Sequence, residues 1–349
     1  MKQVGCTLII RADADARMGT GHVMRCLALG QAWKDNGGHV VFITACSNKL
    51  LLERLYNEDF EVYQIECPDI HSQDWRLTKD LLAEYTNVWL VLDGYHFESD
   101  YQKQVKDAGY KLLVIDDMAH LPNYYADIVL NQNIHASELY YSGEVYTKLL
   151  LGTKYVLLRR EFLSWRGWKR EVPELARKVL ITLGGSDPDN VTLKIIQALQ
   201  QVEVDGLEAV VVAGPVNPHY EELRSAVQSS GIPIRLESNV VNMPELMAWA
   251  DVAISGGGTT SWELAFMGLP SVVLSLADNQ HVISKKREVA GVAIYLNRDV
   301  EYFIDETTQT IAQLLKDRKA RYKMSQRGKE LIDGEGVKRV IEELKRWEC

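Results

Sequence analysis

Several features that would each have fixed a class are missing from this sequence. No apolar run approaches the roughly 20 residues that a membrane-spanning helix needs, and the opening M-K-Q-V-G-C-T-L-I-I-R is too short an apolar stretch for a signal peptide. The five cysteines, Cys6, Cys26, Cys46, Cys67 and Cys349, are an odd number without close metal-type pairs. They read as free thiols, and the cytoplasm is the expected location. An excess of positive charge is missing too: 39 Lys and Arg against 48 Asp and Glu leave a net charge of -9. Nucleic acid is therefore not an expected partner, and no basic, apolar face for docking to a membrane is evident. H-E-x-x-H, C-x-x-C and G-x-S-x-G are all absent, which removes zinc-hydrolase, dithiol-redox and serine-hydrolase readings. Nothing in the sequence demands a metal ion or a cofactor, and nothing in it sets an oligomeric state.

What is present is a globular chain of 349 residues, 46% apolar and 25% charged, long enough for two cores. Short apolar runs alternate with stretches of helical spacing. In the first half, Val4–Ile10, His39–Thr44, Glu61–Ile65, Val88–Leu92, Lys111–Ile115 and Ile128–Leu130 read as strands, with Val23–Trp33 the first helix between them. In the second half the strands are Val179–Leu183, Ala209–Ala213, Ile234–Leu236, Val252–Ser255 and Ser271–Leu274, and a run of helices closes the chain. The expected fold is α/β, with two Rossmann-like doubly wound domains over about residues 1–150 and 151–349. Their strand carboxyl ends are expected to face a shared cleft.

The stretch Arg11–Arg25, R-A-D-A-D-A-R-M-G-T-G-H-V-M-R, leaves the first strand and enters the first helix. Its glycines, Gly21 among them, let the backbone approach a ligand, and the helix dipole behind His22 favours a neutral imidazole that can take a proton. His22 is thus a candidate general base, against the plainer reading of a polar residue at a helix start. Asp13, just past the strand end, can orient His22, bind substrate hydroxyls or amides, or simply form a turn. Arg25, one helical turn from His22, can pair with Asp13 or with phosphate. Asp93, Tyr95 and His96, and then Asp116 and Asp117, follow strands in the same way, and Tyr95 can meet a sugar ring.

The clearest phosphate-binding pattern is S-G-G-G-T-T-S-W-E in the second half. Gly257, Gly258, Thr259 and Thr260 offer N–H and O–H donors to a diphosphate, and Glu263 can accept from ribose hydroxyls. The loop lacks the lysine of a P-loop and the spacing of a dinucleotide fingerprint. Asn279 and Gln280 open a later helix, and Arg159 and Arg160 in the connection can supply a cation. The histidines at 71, 120, 135, 219 and 281 lack metal-ligand spacing and read as structural or exposed.

These motifs occur together and in order: R-A-D-A-x-x-x-M-G-T-G-H-V-M-R-C, V-L-D-G-Y, I-D-D, N-Q-N, Y-V-L-L-R-R-E-F, L-G-G-S-D and S-G-G-G-T-T-S-W-E-L. The set resembles the nucleotide-sugar hydrolase family of the pseudaminic acid pathway and the related spore-coat polysaccharide proteins. The resemblance runs from about Val4 to Leu296. It implies a GT-B glycosyltransferase-like fold and a UDP-sugar substrate, a UDP-linked 2,4-diacetamido-2,4,6-trideoxy hexose. It also implies attack of water at the anomeric carbon, with inversion and release of UDP. On this resemblance His22 is the general base, Glu263 and Asn279 contact the uridine and phosphate side, and Arg159 contacts the substrate. Two other readings stay open: a glycosyltransferase using a UDP-sugar donor, and a non-catalytic sensor or assembly subunit.

Overall fold

Runs of Val, Ile and Leu without the polar alternation of a half-exposed strand form the buried central strands of two parallel sheets. The computed structural model describes residues 6–15, 18–65, 71–276 and 279–347, with the side chains of residues 71, 72 and 279 outside that description. Contacts divide the chain into two units. One comprises Met1–Asp15, His22–Arg160 and Glu335–Cys349; the other comprises Ala16–Gly21 and Glu161–Gly334.

The first unit holds seven strands: β1 (Thr7–Ala12), β2 (His39–Thr44), β3 (Glu61–Gln64), β4 (Val88–Asp93), β5 (Lys111–Ile115), β6 (Ile128–Asn131) and β7 (Lys148–Leu151). Their order is β3-β2-β1-β4-β5-β6-β7, with every pair parallel. Every residue of β1 and β4 is buried. The order reverses between these two strands, which makes their carboxyl ends the topological switch point of the sheet. Register sets Ala12 beside Asp93 and Asp93 beside Ile115, so Asp13 and Asp116 follow their strands on either side of Asp93.

β7 was not expected from the sequence, which took Ile128–Leu130 as the last strand of this half. As an edge strand only Leu150 of its four residues is buried, so its pattern carries little signal. The helix Gly336–Arg346 also joins this unit. Val337, Val340, Ile341 and Leu344 form its buried stripe, and Lys148 pairs with Glu343. A Cβ on Gly336 would lie 2.2 Å from the Val156 carbonyl oxygen, so only glycine allows this approach. Residues 151–160 and 335–349 thus group with the first unit, whereas the sequence reading put the division at 150/151.

The second unit holds β8 (Lys178–Thr182), β9 (Glu208–Ala213), β10 (Ile234–Ser238), β11 (Val252–Gly256), β12 (Ser271–Leu274) and β13 (Ile294–Leu296), in the order β10-β9-β8-β11-β12-β13. Its core includes Ile181, Ile195, Leu199, Val211, Ile254, Val272 and Leu314. β13, only three residues long, was also unforeseen. The switch point here falls between β8 and β11, and β11 runs directly into the glycine-rich loop. The expected pair of doubly wound sheets is what the chain forms.

Candidate active site

In the first unit, the carboxyl ends of β1, β4, β5 and β6 gather a set of charged side chains around His22. The helix Gly21–Asp35 begins one residue before His22, which is 8% exposed. Its Nδ1 lies 2.6 Å from Oδ1 of Asp93, the last residue of β4 and 0% exposed. Arg25 holds the same carboxylate from the other side, with Nε 2.6 Å from Oδ2 and Nη2 2.7 Å from Oδ1. Burial raises the proton affinity of Asp93, but the charge and hydrogen bonds of Arg25 and the hydrogen bond from His22 outweigh it. The carboxyl is held well below the usual carboxylate range. An ionised Asp93 can only accept, so the proton on the imidazole sits at Nδ1 and Nε2 is left as the acceptor.

Arg25 is itself clamped. Its Nη1 donates to Asp117 Oδ2 at 2.7 Å, and Asp117 also accepts from Asn133 Nδ2 at 2.6 Å and from the Tyr95 hydroxyl at 3.3 Å. The buried Arg25 guanidinium is desolvated, yet Asp117 and Asp93 push its proton affinity well above the ordinary value. Tyr95 meets the His22 ring edge-on, with centroids 5.2 Å apart.

A second charged cluster adjoins the first. Fully buried Arg11 donates to Asp13 and, through Nε at 2.9 Å and Nη2 at 2.7 Å, to Asp74. Asp13 Oδ1 also accepts from the Ala45 N–H at 2.6 Å, and its Oδ2 lies 3.4 Å from His96 Nε2. His120 Nδ1 is 3.3 Å from Asp116.

In the second unit, β11 ends at Gly256 and the helix Thr260–Phe266 starts after the three-residue link Gly257-Gly258-Thr259. Gly257 is buried, Gly258 exposed, and Thr259 and Thr260 half-buried. Ser261 Oγ donates to the Gly256 carbonyl at 2.9 Å, fixing the turn. Glu263 is buried in the first turn of that helix. Among the described residues no group of three or more His, Cys, Asp or Glu could hold a metal ion, and no helix is long and apolar enough to cross a membrane.

The structure brings His22, Arg25 and Tyr95 together in the first unit and gathers Gly257, Gly258, Thr259, Thr260 and Glu263 in the second. Two expected pairings are corrected. Arg25 pairs with Asp93 and Asp117, not with Asp13, because helical phase turns it toward the end of β4. Asp13 does not orient His22; Arg11 and the Ala45 N–H engage it instead. Gly21 is the first residue of its helix, and Arg159 is buried in the first unit. Asn279 starts the helix Asn279–Val289, but its side chain lies outside the described residues. Sequence reasoning noted Asp93 and Asp117 as strand-end residues but missed that they organise His22; the adjacency of β1 and β4 was the missing signal.

The glycosyltransferase family 28 C-terminal domain matches residues 179–344. The spore coat polysaccharide biosynthesis protein SpsG of Bacillus subtilis is 26% identical over 337 residues, covering 95% of each chain. The UDP-2,4-diacetamido-2,4,6-trideoxy-beta-L-altropyranose hydrolase of Campylobacter jejuni is 26% identical over 243 residues, 69% of this chain and 81% of the relative. The uncharacterised protein MJ1062 of Methanocaldococcus jannaschii is 32% identical over 279 residues, 76% of this chain. The chain spans only about half of that archaeal relative, 55% of its length. In fold, Acinetobacter baumannii MurG superposes with a TM-score of 0.65 at 16% identity over 98% of this chain and 99% of that one. Anabaena HepE, solved with UDP-glucose, gives 0.62 at 12% identity over 97% and 99%. The fold is that of GT-B glycosyltransferases, and the sequence matches place the chain in the family of proteins like SpsG and the Campylobacter jejuni hydrolase.

Proposed function

We propose that the protein hydrolyses a UDP-linked 2,4-diacetamido-2,4,6-trideoxy hexose and that it serves surface polysaccharide or nonulosonic acid synthesis. The observation that carries the proposal is the 2.6 Å contact between His22 Nδ1 and a fully buried, Arg25-held Asp93. It leaves Nε2 of His22 to take a proton from water. The water oxygen bonds to the anomeric carbon on the face opposite the phosphate, so configuration inverts. The bond from that carbon to the phosphate oxygen breaks, and UDP departs with the electron pair. An ordinary glycosidase needs a second carboxyl group to protonate its leaving alcohol. A nucleoside diphosphate leaves as a stable anion, so one base and a set of donors suffice. In this reading Gly257, Gly258, Thr259 and Thr260 take the diphosphate, and Glu263 and Asn279 the uridine side. Tyr95, Asp13, Gly21 and Arg159 are assigned to the sugar. Arg25 serves through Asp93 and not by touching phosphate.

Incubation of the purified protein with the UDP-sugar in H2¹⁸O, without an acceptor, should yield UDP and a free sugar carrying ¹⁸O at the anomeric carbon. Proton NMR should show the inverted anomer forming first. Label in the UDP, or no turnover over a panel of UDP-linked diacetamido sugars, would overturn the reading. The GT-B neighbours and the family 28 match favour one alternative, transfer of the sugar to a hydroxyl acceptor. Release of UDP only when an acceptor is added would establish that alternative.

A further inference from the structure

Arg287 lies on the helix Asn279–Val289 and is 1% exposed. Its guanidinium sits 4.1 Å from the centroid of the buried Trp262 ring. Nη1 donates to the Gly257 carbonyl at 2.6 Å, and Nη2 to the Gly258 carbonyl at 3.3 Å. Two consecutive backbone carbonyls of the glycine loop thus accept from one guanidinium.

The consequence follows from peptide geometry. In a planar trans peptide the C=O and the following N–H point in opposite directions. Holding the Gly257 and Gly258 carbonyls toward Arg287 therefore turns the N–H groups of Gly258 and Thr259 away from it, as a pair. The loop is packed at one glycine and open at the next. A Cβ on Gly257 would lie 2.6 Å from Ser284 Oγ, whereas one on Gly258 would meet nothing within 4 Å. Two successive N–H groups turned to the same side form a concavity that suits an anion.

We propose that Arg287 is the positioning residue of this loop. It aims the Gly258 and Thr259 N–H groups at the phosphate oxygens of a nucleoside diphosphate. This inference rests on the UDP-sugar reading above and deepens it.

Calorimetric titration of the wild type, Arg287→Lys and Arg287→Met with UDP and, separately, with uridine tests it, after thermal melting has shown each variant folded. Uridine lacks the phosphates, so it reports any general loosening of the unit. Arg287→Met should weaken UDP binding about tenfold or more while uridine binding changes by less than about twofold. Arg287→Lys, which keeps the charge but not the fork, should fall between. UDP affinity unchanged in folded Arg287→Met, or equal weakening toward UDP and uridine, would overturn the inference and leave the UDP reading standing. A wild type that binds no UDP would overturn both.

Discussion

Asp93 Oδ1 and His22 Nδ1 are 2.6 Å apart although 71 residues of chain separate them. The pair exists because β1 and β4 are neighbours at the point where strand order reverses, so the residue ending one strand meets the helix that follows the other. Removing the imidazole should therefore stop the chemistry without emptying the site. His22→Asn should lower kcat by about 10²–10⁴ while KM stays within about threefold. Steady-state UDP release measures both, and wild-type kcat in this variant would take His22 out of the mechanism.

Asp93→Asn should lower kcat by about 10²–10³, since an amide that turns its NH2 toward Nδ1 leaves the proton on Nε2. The ¹⁵N chemical shifts of a labelled His22 ring report the tautomer directly. A ring still protonated at Nδ1 in this variant would contradict the role given to Asp93.

Acid stability should carry the signature of the same carboxylate. Asp93 in the folded protein titrates below its unfolded value of about 3.9, so the unfolded chain takes up the proton first. Its contribution is complete above about pH 4 and is lost as pH falls from there toward the folded value. Denaturant unfolding at several pH values should show a shallower decline below about pH 4 in Asp93→Asn than in the wild type. Equal slopes would mean that Asp93 is not the depressed group.

Gly257 and Gly258 should respond oppositely to an added methyl group. Gly258→Ala has open space and should keep stability within about 1 kcal/mol, yet weaken UDP binding by occupying that space. Gly257→Ala, driven against Ser284, should lower the melting temperature instead. Thermal melts with and without UDP separate the two effects.

The helix Gly336–Arg346 should prove integral to the first unit. Leu344 is fully buried, and Leu344→Ala should cost about 2–5 kcal/mol in unfolding free energy. A loss under about 1 kcal/mol would show that the helix is only loosely attached.

Local pattern made much of this legible. The short Val, Ile and Leu runs located eleven of the thirteen strands, missing β7 and β13, and G-T-G-H marked a helix start with an ionisable side chain. What local pattern does not carry is who meets whom. The partner of Arg25 depended on strand order and helical phase, neither visible in R-M-G-T-G-H-V-M-R. Arg287 sits in S-K-K-R-E, which resembles any solvated helix face, and only the packing of that face on Trp262 sets it apart from its neighbours. Likewise the stripe Val337, Val340, Ile341 and Leu344 announces a buried face but not which sheet covers it.

The position of that last helix has a consequence for biosynthesis. Because residues 161–334 lie between two parts of the first unit, a ribosome finishes the second unit while the first still lacks its closing helix. The pair Lys148–Glu343 spans 195 residues and forms only after the whole intervening unit has been made. Until then the surface destined for Val340 and Leu344 stays open to solvent and to chaperones, so the nascent chain completes its units in the reverse of the order in which it begins them.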